Sequence, residues 1–315
     1  MQSPKAVQWA CLLCALCALQ SGPVSAKDCI GVVSASAHTF WKQVEAGARQ
    51  AGVDAGIELY VRGPRKEGSV ATQLKLIDKV VEQGCRALVI APAGAEINAR
   101  ARALKARGVL TFYIDRDVGG DAVQALIATN NYQAGQAAGR YVAQRLGSSG
   151  RVGLIRMTPA IASTSARQRG FIQAVEAAGL RISFDRPLGD PSQATFEALR
   201  GQLPQLDVLF TPNGTSTRQA YAALLRMQEA GQLLHVGFDA DPVLLDALKA
   251  GQIEALMVQQ PYAMGYQGVQ LAAQALRSGR IEPRRRVIEL DAVLVTRENL
   301  DSPAIRKLLA LPERP

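Results

Sequence analysis

Short apolar runs alternate with longer amphipathic segments along most of the chain. The short runs have the length of buried strands, and the longer segments repeat apolar positions every three or four residues, as a helix does. The pattern predicts strands at residues 30–34, 57–61, 86–91, 109–115, 125–129, 152–157, 181–184, 208–211, 235–238, 255–258 and 287–295. It predicts helices at 40–55, 69–83, 132–146, 165–178, 193–202, 216–230, 243–250, 262–278 and 303–309, and one that ends at 106. Such alternation is typical of an α/β fold with parallel sheets covered on both faces.

The alternation restarts near Gly150, which indicates two lobes of similar topology. A short similarity between residues 44–47 (Val-Glu-Ala-Gly) and 175–179 (Val-Glu-Ala-Ala-Gly), in equivalent predicted helices, also points to a repeat. The elements after Glu254 are too few for a third domain. We therefore expect them to return to the first lobe and then to cross back, completing each sheet.

This reading predicts two doubly wound, parallel-sheet lobes that are joined by three crossings of the chain. We place the crossings near residues 128–131, 258–261 and 288–291. The predicted N-terminal lobe comprises residues 27–129 plus 260–289, and the predicted C-terminal lobe comprises residues 130–259 plus 290–315.

The first 26 residues have the pattern of a secretory signal peptide. Lys5 precedes an apolar run over 6–19, and Val24-Ser25-Ala26 provides a small-residue cleavage site. The alternative is a core helix. A membrane-spanning helix is not expected, because the run is too short to cross a bilayer. We predict an exported, periplasmic protein whose mature chain starts near Lys27, without Cys11, Cys14 and Cys17.

The chain is basic, with a formal net charge of +9, but its basic residues are scattered. The densest run is Arg284-Arg285-Arg286. Neither a basic face interleaved with aromatic residues nor a helix-turn-helix is visible, so we predict no nucleic-acid partner. The positive charge is interpreted as a solvated surface.

Two cysteines, Cys29 and Cys85, remain after the predicted cleavage. Each precedes a predicted strand, and those strands, first and third in sequence, would be neighbours in a doubly wound sheet of order 2-1-3. An oxidising compartment favours their pairing, so we predict a disulfide. The alternative is two separate buried thiols.

Polar side chains end several predicted strands. Asp115 and Arg116 close one strand, and Asn213, Asp239 and Gln259 each follow another. Ligands bind at the carboxyl ends of parallel strands in open α/β sheets. The concentration of hydrogen-bonding groups at that edge predicts a site for a small, polar, hydroxyl-rich molecule.

The order and spacing of several motifs resemble the type I periplasmic sugar-binding proteins of ribose-binding type, the solute-binding components of ABC transporters. The resemblance covers about residues 28 to 296. Its motifs are Val33-Ser34, Phe40-Trp41, Ile114-Asp115-Arg116, Ser165-Ala166-Arg167-Gln168-Arg169-Gly170, Val236-Gly237-Phe238-Asp239 and Gln259-Gln260-Pro261. The resemblance implies the periplasmic binding protein type I fold, with two lobes and a three-strand hinge.

The resemblance also implies roles for single residues. Phe40 and Trp41 would stack on a sugar ring, while Asp115 and Arg116 would bind adjacent hydroxyl groups as acceptor and donor. Arg167, at the start of a helix, would bind from the second lobe. The full predicted ligand set is Ser34, His38, Phe40, Trp41, Asp115, Arg116, Arg167, Asn213, Asp239 and Gln259.

Two positions depart from the family pattern and leave the ligand open. His38 replaces an asparagine, and Asp190-Pro191 stands where the family usually has a third stacking aromatic. A larger sugar, a polyol, a deoxy-sugar or a non-sugar signal would each suit the loss of one stacking wall. The only other histidine is His235, in a predicted strand, so we predict no metal site.

The sequence therefore predicts a monomeric, non-enzymatic protein that captures a small hydroxyl-rich ligand, such as ribose, and presents it to an ABC importer. The alternative is a ligand sensor that feeds a chemoreceptor or sensor kinase. An exported enzyme is disfavoured, because nucleophile-elbow, phosphate-loop and zinc motifs are missing. No cofactor is expected. A transcription regulator of the same fold would carry a helix-turn-helix where the signal segment stands.

Overall fold

The computed structural model describes residues 28–65, 68–157, 161–188, 193–279 and 285–310. The predicted signal segment and the departure at Asp190-Pro191 lie outside the described residues. Within the described ranges, no helix is long and apolar enough to cross a membrane.

Strands and helices alternate as the hydrophobic pattern predicts. The strands are β1 (Cys29–Val33), β2 (Glu58–Arg62), β3 (Ala87–Ile90), β4 (Leu110–Ile114), β5 (Val123–Thr129), β6 (Arg151–Met157), β7 (Arg181–Leu188), β8 (Val208–Phe210), β9 (Leu234–Phe238), β10 (Ala255–Val258), β11 (Arg286–Leu290) and β12 (Val293–Thr296). The α-helices are α1 (Thr39–Ala55), α2 (Val70–Glu82), α3 (Ile97–Ala106), α4 (Asn131–Leu146), α5 (Ala162–Ala177), α6 (Gln193–Arg200), α7 (Gly214–Arg226), α8 (Pro242–Lys249), α9 (Pro261–Ser278) and α10 (Pro303–Leu309).

The strands form two six-stranded sheets of matching order. The first has the order β11-β5-β4-β3-β1-β2, and the second has the order β12-β10-β9-β8-β6-β7. Strand pairs are parallel except for β12, which runs antiparallel to β10. The predicted doubly wound α/β class and the neighbouring positions of the first and third strands are confirmed.

The chain passes between the two sheets three times. It leaves the first sheet after Thr129 at the end of β5, returns after Val258 at the end of β10, and crosses again between Leu290 and Val293. The prediction of one final strand at residues 287–295 is wrong, because β11 belongs to the first sheet and β12 to the second. The crossing between Leu290 and Val293 overlaps the one that we placed near residues 288–291. The apolar run is nearly continuous in sequence, however, so the hydrophobic pattern does not show that two strands share it.

The helices that follow the first two crossings pack in the lobe that the chain has just entered. Helix α9 packs on α1, and α4 packs on α5. Both pairs approach through glycine: a Cβ on Gly265 would lie 1.9 Å from the carbonyl oxygen of Val44, and one on Gly135 would lie 1.9 Å from that of Arg167. Gly265 and Gly135 are each the fifth residue of their helix, so the two lobes repeat this contact.

The short sequence similarity between residues 44–47 and 175–179 does not mark structurally equivalent positions in the two lobes. Helices α1 and α5 are equivalent, but Val44 is the sixth residue of α1 and Val175 is the fourteenth of α5. Instead, Gly47 and Gly170 are each the ninth residue of their helix, and both contact the partner helix.

A disulfide joins Cys29 and Cys85, as predicted. Cys29 is the first residue of β1, and Cys85 lies just before β3, its parallel neighbour. The bridge therefore joins the amino ends of two adjacent strands, whereas the predicted ligand site lies at their carboxyl ends.

Candidate ligand-binding cleft

A cavity of about 560 Å³ lies between the lobes at the carboxyl ends of the strands. Nine of the ten predicted ligand residues line it: His38, Phe40, Trp41, Asp115, Arg116, Arg167, Asn213, Asp239 and Gln259. The fold thus brings together side chains that are more than 200 residues apart in the sequence, as the strand-end pattern predicts.

Ser34 is the exception, because it does not line the cavity. Its side chain is fully buried, and its hydroxyl donates to Oε1 of Glu45 at 2.7 Å. Ser34 follows β1, but its side chain faces α1 rather than the cleft. It therefore ties the strand end to the helix behind the site.

The aromatic wall comes from the start of α1 in the first lobe. His38 is the N-cap residue of α1, although its side chain makes no capping bond, and Phe40 and Trp41 follow within the first turn. Their rings meet edge to face with centroids 4.9 Å apart. Trp41 is only 4% exposed and packs in the core of the first lobe, so only part of its ring is available to the cleft.

Asp115 and Asp239 occupy equivalent positions in the two lobes. Each follows its strand, β4 or β9, and each has a positive φ, 63° and 68°. Their backbone N–H groups donate to carbonyl oxygens of the next strand, Ile127 at 2.9 Å and Met257 at 2.8 Å. Left-handed backbone is uncommon outside glycine but tolerated by aspartate, and it turns both carboxylates into the cleft.

The carboxylate of Asp115 in the first lobe is buried and, within the part of the chain that the structure describes, has no cationic partner at hydrogen-bond distance. Burial raises the pKa of Asp115 to about 6, with Asp239 also raising it and Arg167 opposing the shift. Oδ2 of Asp115 lies 3.6 Å from Nε of Arg116, which is longer than a hydrogen bond. Burial also lowers the pKa of Arg116 to about 10, and its guanidinium lies 5.6 Å from the centre of the Trp41 ring.

Arg167 reaches the cleft from a different place than predicted. Helix α5 begins at Ala162, so Arg167 lies in its second turn and not at its amino end. The guanidinium, 3% exposed, donates to Asn131 Oδ1 at 2.8 Å, to the Pro212 carbonyl at 3.0 Å and to Gln259 Oε1 at 2.6 Å. Burial lowers its pKa, while Asp239 and Asp115 counteract the shift.

The second-lobe polar groups are bonded to one another. Asp239 accepts from the Gly214 N–H at 2.8 Å and from Nε2 of Gln259 at 2.6 Å. Asn213 accepts from the Ser216 N–H at 2.9 Å and is the N-cap of α7, so it has both a capping position and a place in the cleft wall. Its amide nitrogen is the group left to face a ligand.

Sequence reasoning missed one charged pair in the cleft wall. Nη1 of Arg218 lies 2.5 Å from Oδ2 of Asp241, which also caps α8 by accepting from Leu244 N–H at 3.0 Å. A strand end followed by Asp-Pro at 241–242 is an N-cap signal that could have located Asp241. Apolar lining residues were also missed, and no local signal marks them: Met157, Ile161, Pro242 and Val243.

His235 takes no part in the cleft. It is fully buried in β9, where its Nε2 lies 2.9 Å from the Thr211 hydroxyl. Among the residues that the structure describes, no group of three or more His, Cys, Asp or Glu side chains is placed to hold a metal ion.

Comparison with known proteins gives one consistent family. The model of the periplasmic binding protein domain matches residues 30–280. The ribose import binding protein of Haemophilus influenzae is 28% identical over 275 residues, covering 84% of this chain and 91% of that protein.

Solved structures agree. The periplasmic component of an ABC-type sugar transport system from Hahella chejuensis is 31% identical, with a TM-score of 0.75, covering 85% of this chain and 99% of the other. A carbohydrate transporter solute-binding protein from Agrobacterium radiobacter, solved with D-arabinose, is 27% identical with a TM-score of 0.78, covering 91% of this chain and 100% of the other. This chain belongs to the periplasmic binding protein family, in its two-lobed, sugar-binding type I form.

Proposed function

We propose that this protein is a periplasmic solute-binding protein that captures a neutral, hydroxyl-rich small molecule, a monosaccharide or a related polyol, and delivers it to an ABC importer. The observation that carries the proposal is the convergence of aromatic, carboxylate, guanidinium and amide groups from both lobes on one cleft. Aromatic faces suit the C–H face of a sugar, and the polar groups suit its hydroxyls.

The charge balance of the cleft supports a neutral ligand. Among the residues that the structure describes, the lining holds three arginines and three aspartates: Arg116, Arg167, Arg218, Asp115, Asp239 and Asp241. Arg218 is paired with Asp241, and Arg167 is bonded to neutral acceptors in a buried site. A ligand with its own phosphate or carboxylate would add an unpaired buried charge, which is strongly disfavoured.

Capture would proceed by closure of the lobes about the three crossings. A ligand that bonds both walls binds the closed form better than the open form and therefore shifts the population towards it. The closed form is then the one that the importer recognises. The Cys29–Cys85 disulfide suits an oxidising periplasm, as does the proposed cleavage of residues 1–26.

Thermal shift and calorimetry on the chain from residue 27 onward test this proposal. We use D-ribose and D-arabinose, which are epimers, with sorbitol as a polyol and D-ribose 5-phosphate and D-glucuronate as charged analogues. A neutral ligand at one hundred times its Kd should stabilise the protein by about 2.7 kcal/mol. Binding of the charged analogues alone, or of none of the neutral compounds, would overturn the proposal.

The partner is tested in cells that lack the protein. If growth on the identified ligand fails and is restored by the wild-type chain, the protein feeds an importer. Normal growth with loss of movement towards the ligand would instead indicate a sensory partner.

A further inference from the structure

Two polar residues of the first crossing contact the cleft side chains without lining the cleft themselves. Thr129 ends β5, and Asn131 begins α4. The hydroxyl of Thr129 donates to Oε1 of Gln259 at 2.8 Å, and Oδ1 of Asn131 accepts from Nε of Arg167 at 2.8 Å. These contacts stand directly behind the proposed ligand-binding wall.

The bonds determine which groups Gln259 presents to the cleft. Its Oε1 accepts from both Thr129 and Arg167, and its Nε2 donates one hydrogen to Asp239. The amide therefore keeps one N–H for a ligand, and its oxygen is occupied. Because Thr129, Gln259 and Arg167 are each less than 5% exposed, water does not compete well for these bonds.

Arg167 is oriented in a similar way. Asn131, Pro212 and Gln259 take three of the five guanidinium hydrogens, and the remaining two are available to a ligand. Without Asn131, the Nε–H would be a buried, charged donor with no acceptor in that direction. An unpaired buried donor costs free energy, so the guanidinium would either move towards another acceptor or be held less firmly in its present position.

The first crossing is itself bonded to the other two. The Asn130 N–H donates to the Leu290 carbonyl at 2.9 Å, and Nε2 of Gln260 donates to the Asp291 carbonyl at 2.8 Å. Thr129 and Gln259 complete the connection between the first and second crossings. The orientation of Gln259 and Arg167 is therefore tied to the geometry of the whole hinge.

We propose that Thr129 and Asn131 are positioning residues, which hold Gln259 and Arg167 in the orientation that binds ligand and so couple hinge position to affinity. The proposal rests on the proposed function, since it assigns Gln259 and Arg167 to ligand binding. Neither residue lines the cleft, so their effect on binding is indirect.

The first test measures affinity by calorimetry with whichever of D-ribose and D-arabinose the wild type binds. Thr129→Val and Asn131→Ala should each raise the Kd by about tenfold, because each removes one buried hydrogen bond that holds a ligand-binding side chain. Thr129→Ser and Asn131→Asp, which keep the hydroxyl and the acceptor, should restore most of the affinity. Gln136→Ala is the matched control, because Gln136 bonds Gln173 at 2.7 Å between the same two helices on the exposed side.

The second test needs no ligand. The Arg167 Nε–H resonance of ¹⁵N-labelled protein, assigned by its absence in Arg167→Lys, should exchange slowly in the wild type and in Gln136→Ala. It should exchange much faster in Asn131→Ala. Unfolding free energies measured in urea separate this effect from a general loss of stability.

The outcomes are distinct. Affinity within twofold of wild type for both Thr129→Val and Asn131→Ala would overturn the proposal, as would unchanged Nε–H exchange in Asn131→Ala. If the wild type binds sorbitol but neither sugar, the affinities are measured with sorbitol. If it binds none of the neutral compounds, the exchange measurement alone decides the positioning role, and the proposed function is rejected separately. If Asn131→Ala does not fold, Thr129→Val still tests the contact with Gln259, and Asn131→Leu, which keeps the volume but removes the acceptor, tests the contact with Arg167.

Discussion

The two lobes share one strand order but hold the amino ends of their central strands together by different means. In the first lobe, the disulfide Cys29–Cys85 joins the entrances of β1 and β3. In the equivalent place of the second lobe, Asp207 accepts from the Arg151 N–H at 2.8 Å and lies 3.4 Å from its guanidinium. The same position thus carries a covalent tie in one lobe and a partly exposed ionic contact in the other.

The carboxyl ends differ as well. Asp239 is satisfied within its own lobe by Gly214 and Gln259. Its counterpart, Asp115, is buried beside Arg116 at more than hydrogen-bond distance, and its pKa is raised. The second lobe is therefore organised before a ligand arrives, whereas the first-lobe carboxylate gains most from the hydroxyl donors that a ligand would bring.

The largest expected effect comes from the ties at the amino ends. Cys29→Ser with Cys85→Ser opens a loop of 56 residues in sequence separation, worth roughly 4 kcal/mol of unfolding free energy in the chain-entropy model. Asp207→Ala should lower the unfolding free energy by about 1 kcal/mol or less, since the side chains of Asp207 and Arg151 are both about 40% exposed. Urea unfolding measures both.

Reduction is the control for this comparison. Dithiothreitol should bring the wild type to the stability of the double serine variant and should leave that variant unchanged. Equal losses for the serine variant and Asp207→Ala would contradict the difference between the lobes, and two titratable thiols in the unreduced, unfolded protein would contradict the disulfide itself.

The next largest effect is on the pH dependence of the unfolding free energy, to which buried groups of the two lobes should contribute with opposite sign. Burial lowers the pKa of His235 to about 4 from 6.5, so its contribution to stability is lost as the pH falls from 6.5 to 4. The raised pKa of Asp115, about 6 against 3.8, gives the opposite sign, since its buried charge is relieved as the pH falls from 6 to 4. Each term is worth roughly 3 kcal/mol at most.

Single variants separate the two terms. Asp115→Asn should be more stable than the wild type at pH 7 and about equal to it near pH 4. His235→Gln, which keeps a partner for Thr211, should gain relative to the wild type only below about pH 6. Urea unfolding at pH 4, 5, 6 and 7 measures this. Parallel curves for the three proteins would show that neither group titrates as described.

These contrasts show what the sequence pattern could predict and what it could not. The strand ends at Asp115 and Asp239 were visible, because each polar residue follows an apolar run of strand length. A crossing near residues 288–291 was expected from the number of elements, but the division of residues 287–295 into two strands was not visible, since burial in either lobe demands the same apolar side chains. Arg167 lines the cleft, as expected, but not from the start of its helix. Ser165 has the character of an N-cap, whereas the helix begins three residues earlier after Ile161, which makes no capping bond. Ser69 and Asn130, by contrast, do cap their helices. Ser34 was assigned from its match to the family motif Val33-Ser34, and such a match does not show which way a side chain at a strand end will point.

A third prediction concerns binding and uses the two aspartates again. Asp239→Asn and Asp115→Asn should each weaken the affinity for the bound sugar by about 1–3 kcal/mol. Their effects on stability should differ in sign at pH 7, because Asp239 is bonded in the ligand-free protein and Asp115 is a buried, poorly paired charge. Calorimetry and urea unfolding on the same preparations measure both quantities. Unchanged affinity in both variants would place the ligand elsewhere.

The smallest expected signal is optical and asks whether the first-lobe wall faces the ligand. Trp41 lines the cleft but is only 4% exposed, and it would be the only tryptophan of a chain that starts at residue 27. If a ligand stacks on its accessible edge and draws Arg116 away from the ring, tryptophan emission should change on saturation and the change should be absent in Trp41→Phe. A second reporter, Val243→Trp in the Trp41→Phe background, views the same cleft from the second lobe, where Val243 is 55% exposed. Responses from both reporters indicate a ligand held between the lobes. A response from Val243→Trp alone, with binding established by calorimetry, would show that Trp41 serves the core of its lobe and that the second lobe carries the ligand contacts on that side.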